Sequence, residues 1–117
     1  MIVNTSSLIG LYRMAAAPIY GSAKAGVIAF TRSLGSLAEE RNVRINAICP
    51  ELVDTPLAER GMGTDAMNEL RQSDSVLTAD QIAELVVDVI TDTTKAGEII
   101  QVTASDGPQW VDLTPRT

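Results

Sequence analysis

Tyr20 and Lys24 are the two residues of this 117-residue sequence whose types and spacing could do chemistry. Side chains four positions apart on a helix lie on one face, one turn from each other. A tyrosine ordinarily ionises near pH ~10, and an ammonium group held one turn away favours its phenolate form. Ser7, thirteen residues before Tyr20, supplies a hydroxyl that can donate or accept a hydrogen bond. A base, a neighbouring cation and a polar anchor are the groups needed to remove a proton from an alcohol.

Three segments of the sequence give these residues a family resemblance. They are 4–10 (Asn-Thr-Ser-Ser-Leu-Ile-Gly), 20–26 (Tyr-Gly-Ser-Ala-Lys-Ala-Gly) and 46–50 (Asn-Ala-Ile-Cys-Pro). Together they resemble the C-terminal half of a short-chain dehydrogenase/reductase. A Tyr–Lys pair alone is common by chance, but the upstream serine and the downstream strand that ends in proline make the combination specific. The alternative interpretation is a surface Tyr–Lys pair beside a loop serine.

The resemblance implies a role for each matching residue. Ser7 would orient the substrate oxygen, Tyr20 would exchange its proton, and Lys24 would favour the phenolate and hold the nicotinamide ribose. The segment that lines the nicotinamide and bonds its carboxamide is matched by Pro50, Val53 and Thr55. The implied reaction is hydride transfer between the carbon of a small-molecule alcohol or ketone and the cofactor, NAD or NADP. Segments 6–11, 46–55 and 99–107 are most similar to the 15-hydroxyprostaglandin dehydrogenase branch and its bacterial relatives.

Two departures from the family pattern concern the cofactor. Glu51 stands where the family has glycine, and its carboxylate would crowd or repel the cofactor. The sequence also has no glycine-rich turn that follows a strand and opens a helix to bind a dinucleotide pyrophosphate. We therefore expect residues 1–107 to be the C-terminal portion of such an enzyme, with weak dinucleotide binding. The alternative function is a non-catalytic fragment that serves only in oligomerisation or complementation.

Alternating strand and helix patterns predict an α/β fold. Apolar runs at 1–6, 44–50 and 98–103 predict three strands. One helix is predicted from residue 18 to about 40, and a capping box over 78–81 opens another. Strands joined by helices form a parallel sheet, so we predict part of a Rossmann-type, doubly wound parallel sheet. Ligands bind outside the carboxyl ends of such strands, where Ser7 and the segment after Pro50 both fall.

Apolar spacing predicts which helix faces are buried. For the first helix, the face predicted to pack on the sheet comprises Ala23, Val27, Phe30, Leu34 and Leu37. A second face carries the small residues Ala25, Ala29 and Ser36, and the resemblance implies a homo-oligomer formed through it; exposure to water is the alternative. For the later helix, the predicted stripe comprises Ile82, Leu85, Val86, Val89 and Ile90. We expect a loop over 8–17, a mobile loop with a weak helix near 64–71, and an irregular tail over 108–117.

Composition excludes several classes of function. The net charge is −6 and the nine basic residues are scattered, so no basic patch for nucleic acid or anionic lipid is expected. The single cysteine, Cys49, excludes an intramolecular disulfide and, with no histidine present, a His/Cys zinc site. Its apolar surroundings predict that it is buried. No apolar run approaches a membrane span and no signal peptide is recognisable, so we expect a soluble, cytoplasmic protein with no membrane partner.

Overall fold

Over residues 1–114, which the computed structural model describes, the chain forms one four-stranded sheet with helices on both faces. The elements are β1 (Ile2–Thr5), α1 (Leu8–Leu11), α2 (Pro18–Ser33), α3 (Leu37–Arg41), β2 (Ile45–Pro50), α4 (Pro56–Met62), α5 (Thr64–Gln72), α6 (Ala79–Thr91), β3 (Ile99–Thr103) and β4 (Gly107–Trp110). Within these described residues no helix is long and apolar enough to cross a lipid bilayer.

The sheet confirms the predicted α/β architecture. Its order is β1-β2-β3-β4, with β1, β2 and β3 mutually parallel. Thr5 pairs with Ile48 and Pro50 pairs with Val102, so the three strands end at one edge of the sheet. The middle strand β2 is buried along nearly its whole length, as expected for a parallel strand covered on both faces.

Two hydrophobic cores lie on opposite faces of the sheet because successive strand residues point to opposite sides. On one face, Leu85 and Val89 of α6 pack with Ile48. On the other face, Ile28 of α2 packs with Cys49. The capping box of α6 is confirmed, and four residues of its predicted stripe are buried or half-buried. The fifth, the residue at position 90, is 44% exposed.

The predicted single helix over 18–40 is wrong: it is broken between α2 and α3. Gly35 and Gly97 approach so closely there that a Cβ on Gly97 would lie 2.7 Å from the Gly35 Cα. The predicted sheet-facing stripe is also wrong in part. Phe30 is 61% exposed, and Ile28 and Thr31 are buried instead. Thr31 is tolerated there because its hydroxyl donates to a backbone carbonyl and accepts from the Asn4 amide.

Three segments contain more regular structure than expected. The 8–17 loop includes α1. In the expected mobile loop, the predicted helix near 64–71 is confirmed as α5, anchored by the fully buried Met67, and α4 precedes it. The expected tail over 108–117 begins as β4, which pairs antiparallel with β3 through a turn that ends at Gly107, where φ is +70°. Residues 115–117 of that tail lie outside the described part of the chain.

Candidate active site

Ser7 lies just beyond the carboxyl end of β1, where the chain turns into α1. The Ser6 backbone N–H still donates to the Ile48 carbonyl of β2 (2.8 Å), which fixes the chain at the strand end. Ser7 then caps α1, its hydroxyl oxygen accepting from the Ile9 N–H at 3.3 Å. The residue is only 8% exposed. Its hydroxyl hydrogen remains available as a donor toward a substrate oxygen.

The two helices beside β1 are packed backbone against backbone. A Cβ on Gly10 of α1 would lie 2.8 Å from the Lys24 carbonyl carbon and 3.0 Å from the Ala25 nitrogen of α2. The Ser6 hydroxyl donates to the Lys24 carbonyl at 2.7 Å. Glycine at position 10 and serine at position 6 therefore set how α2 sits against the strand end. Sequence reasoning missed both roles, because each is a contact between residues distant in the chain.

Tyr20 and Lys24 lie one turn apart in α2, which opens at Pro18 with no N–H to satisfy. The Lys24 Nζ is 5.7 Å from the centroid of the Tyr20 ring, within the range of a cation–π contact. The same Nζ is 3.5 Å from the Thr5 carbonyl oxygen at the end of β1. Tyr20 is 48% exposed, so its phenol is open to a ligand. The strand end thus holds the ammonium group beside an accessible phenol.

The segment after β2 lies at the neighbouring strand end. The Glu51 N–H donates to the Val102 carbonyl (2.9 Å), and Val53 forms a parallel bridge with Leu77. Thr55 caps α4, its hydroxyl oxygen accepting from the Ala58 N–H at 3.2 Å and keeping its own hydrogen free to donate. Pro50, the last residue of β2, and Glu51 are both half-buried.

Cys49 lies in β2, in the hydrophobic core on the α2 face of the sheet, and is fully buried, as predicted. Burial raises the pKa of its thiol to about 11, although the neighbouring Ser6 side chain and Ser7 backbone act in the opposite direction. The thiol stays protonated at neutral pH, so it is not a nucleophile there. Residues 1–114 contain no cluster of three His, Cys, Asp or Glu side chains that could bind a metal ion.

Asp54 and Arg71 form an ion pair that sequence reasoning did not predict. The Arg71 Nε and Nη2 donate to the two carboxylate oxygens of Asp54 at 2.9 and 2.8 Å. The Arg71 guanidinium holds the pKa of the Asp54 carboxyl below its ordinary value, chiefly through these hydrogen bonds. The partners are seventeen positions apart, so no local sequence signal predicts the pair.

Comparison with known proteins places this geometry in a family. The sequence model of the family described as "short chain dehydrogenase" matches residues 1–66, more than half of the chain. The chain is 36% identical to 15-hydroxyprostaglandin dehydrogenase [NAD(+)] from Mus musculus, over 96% of the chain and 46% of the mouse protein. It therefore spans about half the length of the curated relatives it matches.

Solved structures agree. A small-chain dehydrogenase in complex with NADPH has a TM-score of 0.73 at 28% identity, covering 88% of this chain and 49% of the other. Levodione reductase has a TM-score of 0.78 at 26% identity, covering 90% and 45%. Both the sequence and the fold therefore show that the chain belongs to the short-chain dehydrogenase family.

Proposed function

We propose that this chain is the catalytic part of an NAD(P)-dependent oxidoreductase that transfers hydride between an alcohol or ketone carbon and a nicotinamide cofactor. One observation carries the proposal: the Lys24 ammonium lies 5.7 Å from the exposed Tyr20 ring and 3.5 Å from the carbonyl of Thr5, two residues before Ser7. Membership of the family supports the same reaction, and the similarity to 15-hydroxyprostaglandin dehydrogenase supports a substrate that carries a hydroxyl group.

The proposed roles follow from the groups that each residue presents. Ser7 donates its hydroxyl hydrogen to the substrate oxygen and fixes its direction. In alcohol oxidation, the Tyr20 phenolate oxygen accepts the hydroxyl proton while the hydride leaves the carbinol carbon. Lys24 stabilises negative charge on the phenolate because its ammonium is held on the Tyr20 face by the β1 carbonyl. When bound, the nicotinamide supplies the acceptor or donor of the hydride.

Apart from Glu51, the residues present fit the nicotinamide end of such a cofactor. Thr55 keeps a free hydroxyl hydrogen for a carboxamide oxygen, and Lys24 can reach ribose hydroxyl groups from the Tyr20 face. Val53 and the half-buried Pro50 offer apolar surface for the ring. We propose NAD or NADP as the cofactor. The mouse relative is named for NAD(+) and one solved neighbour was crystallised with NADPH, so both belong in the test.

The test is an assay of the 117-residue chain with a panel of secondary alcohols and millimolar NAD⁺ or NADP⁺, following the reduced nicotinamide by absorbance. We expect turnover with at least one alcohol and with one of the two cofactors preferred. Absence of turnover with every alcohol and both cofactors would contradict the proposal for this chain. It would favour the second candidate, a chain that only associates.

A specific observation supports association as a second candidate function. Apolar side chains are exposed along α2, with Ile19 at 85% and Phe30 at 61%, and Ile2 on β1 is 46% exposed. Water-exposed apolar surface of this kind is typical of contact sites. We propose that the chain forms homo-oligomers through α2.

The location of the protein in the cytoplasm also stays a prediction.

Association can be tested by sedimentation with a matched pair of variants. Ala29→Arg places a long cation on the exposed face of α2, and Ala83→Arg does the same on α6, across the sheet. We expect the wild-type chain and Ala83→Arg to sediment larger than a monomer, and Ala29→Arg to shift toward the monomer. A monomeric wild-type chain at high micromolar concentration, or equal behaviour of the two variants, would contradict the α2 interface.

A further inference from the structure

Arg71 joins three parts of the chain that follow β2. Its guanidinium donates to both carboxylate oxygens of Asp54, at 2.9 and 2.8 Å. It also donates to the Glu59 carboxylate of α4 at 3.4 Å and to the Asn68 side-chain oxygen in its own helix, α5, at 2.8 Å. A planar guanidinium makes paired bonds of this kind in one orientation only. One side chain therefore ties α5 to the segment that follows β2.

Asp54 lies between Val53 and Thr55, the residues proposed to contact the nicotinamide. On its backbone side, the Asp54 N–H donates to the Leu77 carbonyl at 2.8 Å, and the Leu77 N–H donates to the Leu52 carbonyl at 3.0 Å. The Asp54 carboxylate is held by Arg71. The segment is thus fixed at both its backbone and its carboxylate. Only the carboxylate contact depends on a partly exposed ion pair, with side chains 31% and 33% exposed.

We infer that Arg71 is a positioning residue for the nicotinamide end of the cofactor site, because its paired hydrogen bonds to Asp54 hold Val53 and Thr55 in the orientation that binds the cofactor. The inference rests on the proposed function. It also requires reciprocity: if Arg71 raises cofactor affinity, then bound cofactor must steady the Arg71–Asp54 pair to the same extent.

A role in stability alone gives a different result. If Arg71 served only to attach α5, its removal would lower the free energy of unfolding, but the folded chain would bind cofactor as before. A positioning role lowers the affinity of the folded chain itself. The measurement must therefore be made where each variant is shown by circular dichroism to be folded.

The experiment is an NMR titration of the full 117-residue chain with NADH, following the backbone amides of Val53 and Thr55. The test variant is Arg71→Gln. Its matched control is Arg60→Gln, which removes the same charge from an exposed residue of α4 whose side chain makes no hydrogen bond within residues 1–114. Asp54→Asn breaks the pair from the other side if Arg71→Gln fails to fold. Hydrogen exchange of the 52–55 amides, with and without NADH, gives a readout independent of affinity.

We expect Arg71→Gln and Asp54→Asn to weaken NADH binding by about fivefold or more, the lower end of ordinary coupling between sites. Arg60→Gln should bind as the wild type does. NADH should slow exchange of the 52–55 amides in the wild-type chain and in Arg60→Gln, and should slow it less in Arg71→Gln and Asp54→Asn. Equal affinity in the wild type and Arg71→Gln would overturn the inference and leave the proposed function standing. No shift of the Val53 and Thr55 amides in the wild-type chain would overturn the proposed cofactor contact and the inference together.

Discussion

Two segments leave neighbouring strand ends at the same edge of the sheet, and different contacts hold them. After β1, the backbones of α1 and α2 meet at Gly10, and the Ser6 hydroxyl donates a hydrogen bond to the Lys24 carbonyl at 2.7 Å. After β2, the segment makes two backbone hydrogen bonds with Leu77, and its side-chain restraint is the ion pair between Asp54 and Arg71, whose side chains are about one-third exposed. The first segment carries the proposed proton-transfer groups, and the second carries the proposed cofactor contacts.

The difference teaches how firmly each part of the site is fixed. A backbone-to-backbone contact loosens only when the fold opens, since close-packed interiors have no room to adjust. A partly exposed ion pair weakens with salt and breaks on a single protonation. We therefore expect the α2 backbone that carries Tyr20 and Lys24 to be insensitive to conditions, and the Val53–Thr55 geometry to be more readily adjusted.

The largest effect should come from removing the phenol of Tyr20. In an active assembly, Tyr20→Phe should lower turnover by about 10²–10⁴-fold, the usual contribution of a positioned acid or base. The control is Tyr12→Phe, which removes the chain's other phenol and only an exposed 3.3 Å hydrogen bond to Gln101. Near-normal turnover of Tyr20→Phe would refute the assignment.

A second prediction uses Cys49 to report on opening of the α1–α2 side. With a pKa of about 11 against an ordinary value of 9.0, its thiolate is about 100-fold rarer than that of a free thiol at the same pH. The native chain at pH ~8 should therefore react with a thiol reagent at least ~100-fold more slowly than the urea-unfolded chain. Rapid labelling of the folded chain would show that this side is open.

A third prediction is that substitution at Gly10 destabilises the fold. A Cβ there meets the backbone of α2 at 2.8 Å, which cannot rotate away, so Gly10→Ala should cost about 1–3 kcal/mol of unfolding free energy. Gly26→Ala, in open space within α2, should be neutral or stabilise the helix by up to about 1 kcal/mol. Chemical denaturation of both variants measures the contrast. Equal stability would mean that α1 and α2 are not closely packed.

The smallest effect concerns the pH dependence of the ion pair. Because Arg71 lowers the pKa of Asp54 in the folded chain, the stability it contributes is present above the unfolded value of ~3.9 and is lost as pH falls through the lower folded value. The stability difference between the wild type and Arg71→Gln should therefore be constant from pH ~8 to ~5 and should shrink below pH ~4. A difference that changes between pH ~8 and ~5 would assign the effect to another group.

Sequence reasoning succeeded where the signal is local. The strands, the capping box of α6 and the burial of Cys49 all follow from patterns within a few residues. It failed where the cause is distant in the chain. β4 contains Pro108 and is formed through pairing with β3, α2 breaks where Gly35 meets Gly97, and the Asp54–Arg71 pair joins the segment after β2 to α5. The same holds at the site: Tyr20 and Lys24 are one helical turn apart, whereas Ser6 reaches Lys24 only in the fold.

The central proposal is that this chain transfers hydride between a substrate carbon and the nicotinamide. Ser7 binds the substrate oxygen, Tyr20 exchanges its proton and Lys24 stabilises the phenolate. The direct measurement uses an alcohol that the panel assay identifies, labelled with deuterium at its carbinol carbon, together with the preferred oxidised cofactor. We predict that the deuterium appears at C4 of the reduced nicotinamide and that Tyr20→Phe slows its appearance. Deuterium found in the solvent instead, or on the cofactor at an unchanged rate in Tyr20→Phe, would contradict the claim.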